Sequence, residues 1–171
     1  MEILKENGSD ALHVRTICKK LGCTARPLFR AFSSMDGLKH ALVEPVKEIY
    51  LQRLNQPYKT EYPFLHLGIN YIQFAMEEKH LFAFLFMSHQ IDVQSPTELI
   101  SSRWNEVIGN ISETASISRE NAKTLLLEMS ILAHGMATLI LMNHIRYRLN
   151  EIEYLLRIAF EGILLKLKPS E

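Results

Sequence analysis

Cysteine is scarce in this chain, with two among 171 residues, Cys18 and Cys23. They fall in one short segment with no flanking metal pattern. That excludes a disulfide framework and reads as reduced thiols in a cytosolic protein. Strand signals are nearly absent, because no alternating apolar run is bounded by Asn-Gly or Asp-Gly turns. Neither sign of charge dominates. Lys+Arg and Asp+Glu both number 19, which excludes a uniformly basic nucleic-acid binder and leaves room for a local basic patch. Met1 is followed by Glu2 and Lys5 without an apolar run, so no secretory signal is expected. The most apolar stretch, 131–145, is interrupted by His134, Asn143 and His144. It is shorter than the roughly 20 apolar residues of a membrane span, so no membrane association is expected.

Catalytic signatures are missing as well. The chain has no P-loop, GxSxG, HExxH or CxxC pattern. Glu77-x-x-His80 has the form of half a di-iron helix motif, but the second pair such a site requires is not in the sequence. His80 and His89 straddle a loop without ligand spacing. His134, on an apolar helix, reads as a hydrogen-bonded core histidine. No enzyme, catalytic residue, metal site or cofactor is expected.

What the chain does have is apolar side chains, at 47% of residues against 22% charged, enough for a sizeable core. They recur three and four apart almost everywhere, which predicts an all-α fold. A short helix is expected over Met1–Asn7, ended by Gly8. A second spans Val14–Leu21. Thr24 caps a third reaching Phe32, and Ser34 caps a fourth running to Leu54 with a kink at Pro45. After a polar linker at Asn55–Glu61, helices are expected at Tyr62–Lys79 and His80–Met87. A loop over Ser88–Ser95 precedes Pro96, which opens a seventh helix to Thr114. Ser118 caps an eighth helix to His144, and Asn150 caps a ninth to Leu167.

The densest information lies between Leu12 and Leu42. Two short helices are joined at Gly22-Cys23, the layout of a helix-turn-helix. Ile17, Leu21, Leu28 and Phe32 are expected on the inner face, leaving Ala25, Arg26, Phe29 and Arg30 outside. Pro27 sits third after the Thr24 cap, where no intrahelical donor is needed. The Thr24 hydroxyl is then expected to bond the backbone of Arg26. The result is a rigid second helix whose first turn can meet base edges, with Arg26 and Arg30 reading guanine or holding phosphates.

The stretch from Gly8 to Leu42 resembles the DNA-binding head of the TetR family of regulators. The matches are Gly8, Ile17-Cys18, Gly22-Cys23-Thr24, Leu28-Phe29 with Phe32, and Leu38. Residues 68–86 and 133–140 are similar to a TetR C-terminal domain marked by a Trp-His-Gly motif; His134 and Gly135 fit it and Ala133 replaces the tryptophan. There are departures. The first helix is about two turns long, where most members carry ten or more further residues. Phe29 stands where a tyrosine hydroxyl usually meets a phosphate, and Met35 where a lysine often does; Lys39 is placed to compensate. Residues 1–50 hold eight Lys/Arg and six Asp/Glu, a net of +2, so phosphate neutralisation is expected to be modest.

The resemblance implies a DNA-binding head at 1–42 and a helical ligand-binding and dimerisation domain at 43–171. Expected DNA contacts are Arg15, Thr16, Thr24, Ala25, Arg26, Pro27, Phe29, Arg30 and Lys39. The eighth helix is apolar on nearly all sides and must be buried all round. The resemblance implies that it pairs, with the ninth, against a second copy through about 118–145 and 150–167. Candidate ligand-binding residues are Phe64, Tyr71, Phe74, Phe82, Phe86, Trp104, Met129 and His134. The implied function is a cytoplasmic repressor that binds a palindromic double-stranded operator as a homodimer. A small apolar effector would release it by shifting the spacing of the two heads. The alternative is a regulator-like dimer that has lost DNA binding and serves as a ligand- or partner-binding protein.

Overall fold

The three-and-four spacing of apolar residues is realised as helix along the chain. In a computed structural model the described residues are 1–60, 62, 64–88 and 101–168, with backbone alone for 101–104. Among them are nine α-helices and no strand. They are α1 (Glu2–Asn7), α2 (Val14–Leu21), α3 (Ala25–Phe32), α4 (Met35–Leu54), α5 (Leu65–Glu77), α6 (Lys79–Phe86), α7 (Ser101–Ala115), α8 (Arg119–Leu141) and α9 (Leu149–Leu167). A 3-10 turn at Ser9–Ala11 follows α1. The expected loop at Ser88–Ser95, beyond Ser88, and the expected Pro96 helix start lie outside the described residues.

Local chemistry sets most boundaries. Gly22 ends α2 in the left-handed region, at φ 62° and ψ 30°, a conformation a side chain disfavours. The Ser34 hydroxyl accepts the Gly37 N–H at 3.0 Å and starts α4. That helix runs through Pro45 without interruption. The Ser118 hydroxyl caps α8 by accepting the Asn121 N–H at 3.1 Å. Among the ends that differ from expectation are those of α5, which runs Leu65–Glu77 rather than Tyr62–Lys79, and one each of α8 and α9. Helix α8 stops at Leu141, three residues before His144, because Asn143 turns left-handed at φ 57°. There the His144 N–H bonds back to the Leu139 carbonyl at 2.9 Å. Helix α9 is not capped by Asn150. Its first turn is closed by Glu151, whose carboxylate accepts the Arg148 N–H at 2.7 Å.

Packing divides the chain into two units. The head unit contains Met1–Gln52 together with α6. Its α6 packs on α1, and α2 crosses α3. Buried Ile3, Leu4, Leu12, Ile17, Leu28, Leu38, Val46 and Tyr50 form its interior, with Leu81, Phe82, Phe84 and Leu85 of α6. The body unit contains residues 53–77 with α7, α8 and α9. Helix α5 packs on α8 and α9, and α8 also packs on α7 and α9. Phe160 is fully buried there, with its ring 4.4 Å from Phe64 and 4.7 Å from Tyr62.

Candidate nucleic-acid interface

The head unit presents two short helices separated by three residues, Gly22, Cys23 and Thr24. The corner is held by backbone. The Cys23 N–H donates to the Cys18 carbonyl at 3.1 Å, closing the end of α2. On α3, Leu28 is buried while Arg26, Pro27, Phe29 and Arg30 are exposed and Ala25 is half-buried. Its outward face therefore carries two guanidinium groups beside an aromatic ring. Arg26 and Arg30 take part in no ion pair among the described residues.

Two details of the motif are corrected by the structure. The Thr24 hydroxyl makes no capping bond, although the residue has the extended backbone of a cap, φ −84° and ψ 171°. Pro27 occupies the position whose N–H such a hydroxyl commonly accepts, and the exposed side chain faces solvent instead. Leu21 and Phe32 do not complete the inner face, being 66% and 37% exposed. With Ile3, Leu28, Leu38 and Leu42 they border an open apolar groove of about 570 Å³. The N-terminal end of α1 lines one side of it through Met1, Glu2 and Ile3.

The remaining expected contacts are spread along the same unit. Arg15 is exposed at the start of α2. The Thr16 hydroxyl lies 3.0 Å from Nε2 of His13, and His13 Nδ1 donates to the Ala11 carbonyl at 3.0 Å. This hydrogen-bonded entry to α2 has no short-range signature in the sequence. Lys39 is half-buried in the first turns of α4. Lys20 was not singled out, and it is held by α1: its Nζ lies 2.7 Å from Glu2 and 3.7 Å from Glu6. The Lys20 hydrogen bond holds the Glu2 carboxyl below its ordinary range. Part of the head's modest positive charge is thereby neutralised inside the head.

The candidate ligand residues do not converge on one place. Phe82 and Phe86 belong to the head unit, where their rings are 4.9 Å apart and Tyr50 meets Phe86 edge-on at 5.3 Å. Phe64 packs on Phe160 in the body unit, and Phe74 is buried on α5. Met129 is half-buried on α8, and the side chain of Trp104 lies outside the described residues. Tyr71 and His134 meet: the tyrosine hydroxyl lies 2.8 Å from His134 Nδ1. Burial pushes the imidazole below its ordinary pKa, so the ring is neutral at pH 7 and serves the hydroxyl as a hydrogen-bond partner. Glu77 and His80 part company. Glu77 pairs with Arg53 in the body unit, while the His80 ring packs against Gly8 in the head unit.

A second feature is the outer surface of α8 and α9. Leu127, Ile131 and Leu139 on α8, with Met142 just past its end, are 44–61% exposed and share one side. Tyr154, Ile158 and Leu165 do the same on α9, at 47–75%. Between them Gly135 and Gly162 open onto empty space. Alpha8, which packs on α5, α7 and α9 among the described residues, is therefore not buried all round. It is also long and apolar enough to cross a membrane, with a mean hydropathy of 1.7 over 18 residues of which 22% are buried. Compared with known proteins, the chain matches no family model, no curated sequence and no solved structure.

Proposed function

We propose that this protein is a ligand-responsive transcriptional regulator of the TetR type, in which a helix-turn-helix head binds double-stranded DNA and the body pairs two copies. The observation that carries this reading is the α2–Gly22–α3 corner, which exposes Arg26 and Arg30 on one outward face of a short helix. Two forked guanidinium groups on a helix narrow enough for a major groove suit guanine edges and phosphates. The apolar stripes of α8 and α9 support the pairing. A second copy laid across them by a two-fold axis buries both stripes at once, and Gly135 and Gly162 let the backbones approach. Glu128, the charged residue within the apolar stretch of α8, favours a protein partner over a bilayer. Tyr71–His134 gives an apolar effector one polar anchor in the body.

The test is retention of DNA selected from a random double-stranded pool, measured at two salt concentrations. Sequence-selective retention that weakens with salt supports the repressor. Arg30→Ala is expected to weaken it by about 1–3 kcal/mol, flattening selectivity at one base position. The capture of Lys20 by Glu2 and Glu6 favours a second reading, a dimer of the same build without DNA affinity. Absence of retention even at low salt, from a folded dimer, selects that reading.

A further inference from the structure

We infer that Cys18 and Cys23 form an oxidisable dithiol at the corner of the helix-turn-helix, where a reversible disulfide would displace α3 relative to α2. Both thiols are free and half-exposed. The backbone has already brought their residues together, since the Cys23 N–H donates to the Cys18 carbonyl at 3.1 Å. That bond places the α-carbons within reach of the roughly 4.4–6.8 Å a disulfide spans. The thiols also sense one another. Cys18 is held above its ordinary pKa first by burial and then by the adjacent Cys23. No metal pattern or structural disulfide framework accounts for such a pair.

The co-reactant is hydrogen peroxide. One thiol, as its thiolate, attacks a peroxide oxygen; the O–O bond breaks, leaving a sulfenic acid and water. The second sulfur displaces the sulfenic hydroxyl as a second water, and the S–S bond forms. Two thiols are oxidised by two electrons in total and one peroxide is reduced to two waters. A thiol of raised pKa reacts slowly at neutral pH, so the step quickens as pH rises. The backbone separation already suits the bond, so what the bond adds is a fixed geometry between the two side chains, and any adjustment to it falls on the Gly22–Cys23 corner that joins them. Cys23 directly precedes Thr24, the residue from which α3 starts, so that adjustment reaches Arg26 and Arg30. Loss of DNA retention on oxidation rests on the function proposed above; the cross-link itself does not.

The experiment treats the full chain with hydrogen peroxide. Support is a chain two hydrogens lighter, tryptic fragments of Cys18 and Cys23 joined to each other, and reversal by dithiothreitol. Cys18→Ser and Cys23→Ser should not form the joined fragments. Amide exchange over residues 22–28 should change on oxidation of the wild type and not of Cys18→Ser. Thiols that stay reduced, cross-links between chains only, or an unchanged exchange pattern in the joined form would overturn the inference. With selected DNA, oxidation is expected to weaken retention at least fivefold, on the order of an ordinary coupling between sites. Equal retention by joined and reduced forms overturns the displacement of α3. A joined, exchange-shifted protein that holds no DNA in either form upholds the dithiol and overturns the regulator.

Discussion

In the head unit the apolar side chains of α2 and α3 reach only part of the way inside, whereas in the body unit α8 and α9 are apolar on more sides than one chain can cover. The head has short helices, an open groove, and Leu21 and Phe32 at its edge with 66% and 37% of their surface exposed. The body closes around Phe160, Leu156, Ile152 and Leu125, all with no exposed surface. Its excess lies outside, as stripes on two helices. One periodicity of three and four thus has two outcomes. A short helix spends its few apolar residues on a single contact, while a long one has enough for an inner core and an outer face. The head should accordingly be the softer unit and the body the association surface.

The largest test of that contrast is Phe160→Ala. Removing a fully buried ring that touches Tyr62 and Phe64 is expected to cost about 3–5 kcal/mol in denaturant unfolding. Leu28→Ala, in the open head, should cost less, near the 2 kcal/mol lower end for such truncations. Equal costs would remove the distinction between the units. Next is the outer face. Ile131→Glu, at a residue 61% exposed in the single chain, should leave the stability of that chain within about 0.5 kcal/mol yet convert the proposed dimer to monomer in sedimentation. Gly135→Ala sharpens the point. It should favour the helix by up to about 1 kcal/mol while weakening self-association, and an unaltered dimer would place the pairing elsewhere.

Gly37→Ala probes the head alone. The added carbon would collide with the Phe32 carbonyl oxygen, where α3 hands over to α4. Overpacking of this kind costs about 1–3 kcal/mol and should show as lost amide protection confined to the head. The smallest concerns His134. Burial depresses its pKa below 6.5, so the unfolded chain binds its proton more readily than the folded one. The stability this neutral ring contributes is present above pH 6.5 and is lost as pH falls through the folded value. NMR titration of the ring checks the direction, and His134→Phe should flatten that part of the profile.

Much of the helical layout was legible. The bounds of α2 and α3 follow from Gly22 and from the apolar spacing, and Ser34 and Ser118 act as the caps their positions imply. What escaped was non-local. Nothing near Leu21 in the sequence says that α1 leaves it uncovered, and nothing near Lys20 says that Glu2 claims it. The 63-residue separation of Tyr71 and His134 hides their hydrogen bond in the same way. The assignment of α6 to the head unit depends on its packing against α1, a contact that spacing along the chain does not encode. The outward face of α3 was legible because Arg26, Phe29 and Arg30 lie three and four apart, opposite the buried Leu28.

Asn70 is the only fully buried polar residue of the described core, 2% exposed. Its amide nitrogen donates to two carbonyls, those of Leu54 at 3.1 Å and Gln56 at 2.7 Å. The first is the last carbonyl of α4, which has no partner within its own helix. The exit of α4 is therefore clasped by a side chain of α5 from within the body. One amide thus fixes both the end of the helix and the turn that follows it, so Asn70→Ala would strip two carbonyls of their donor in a single change.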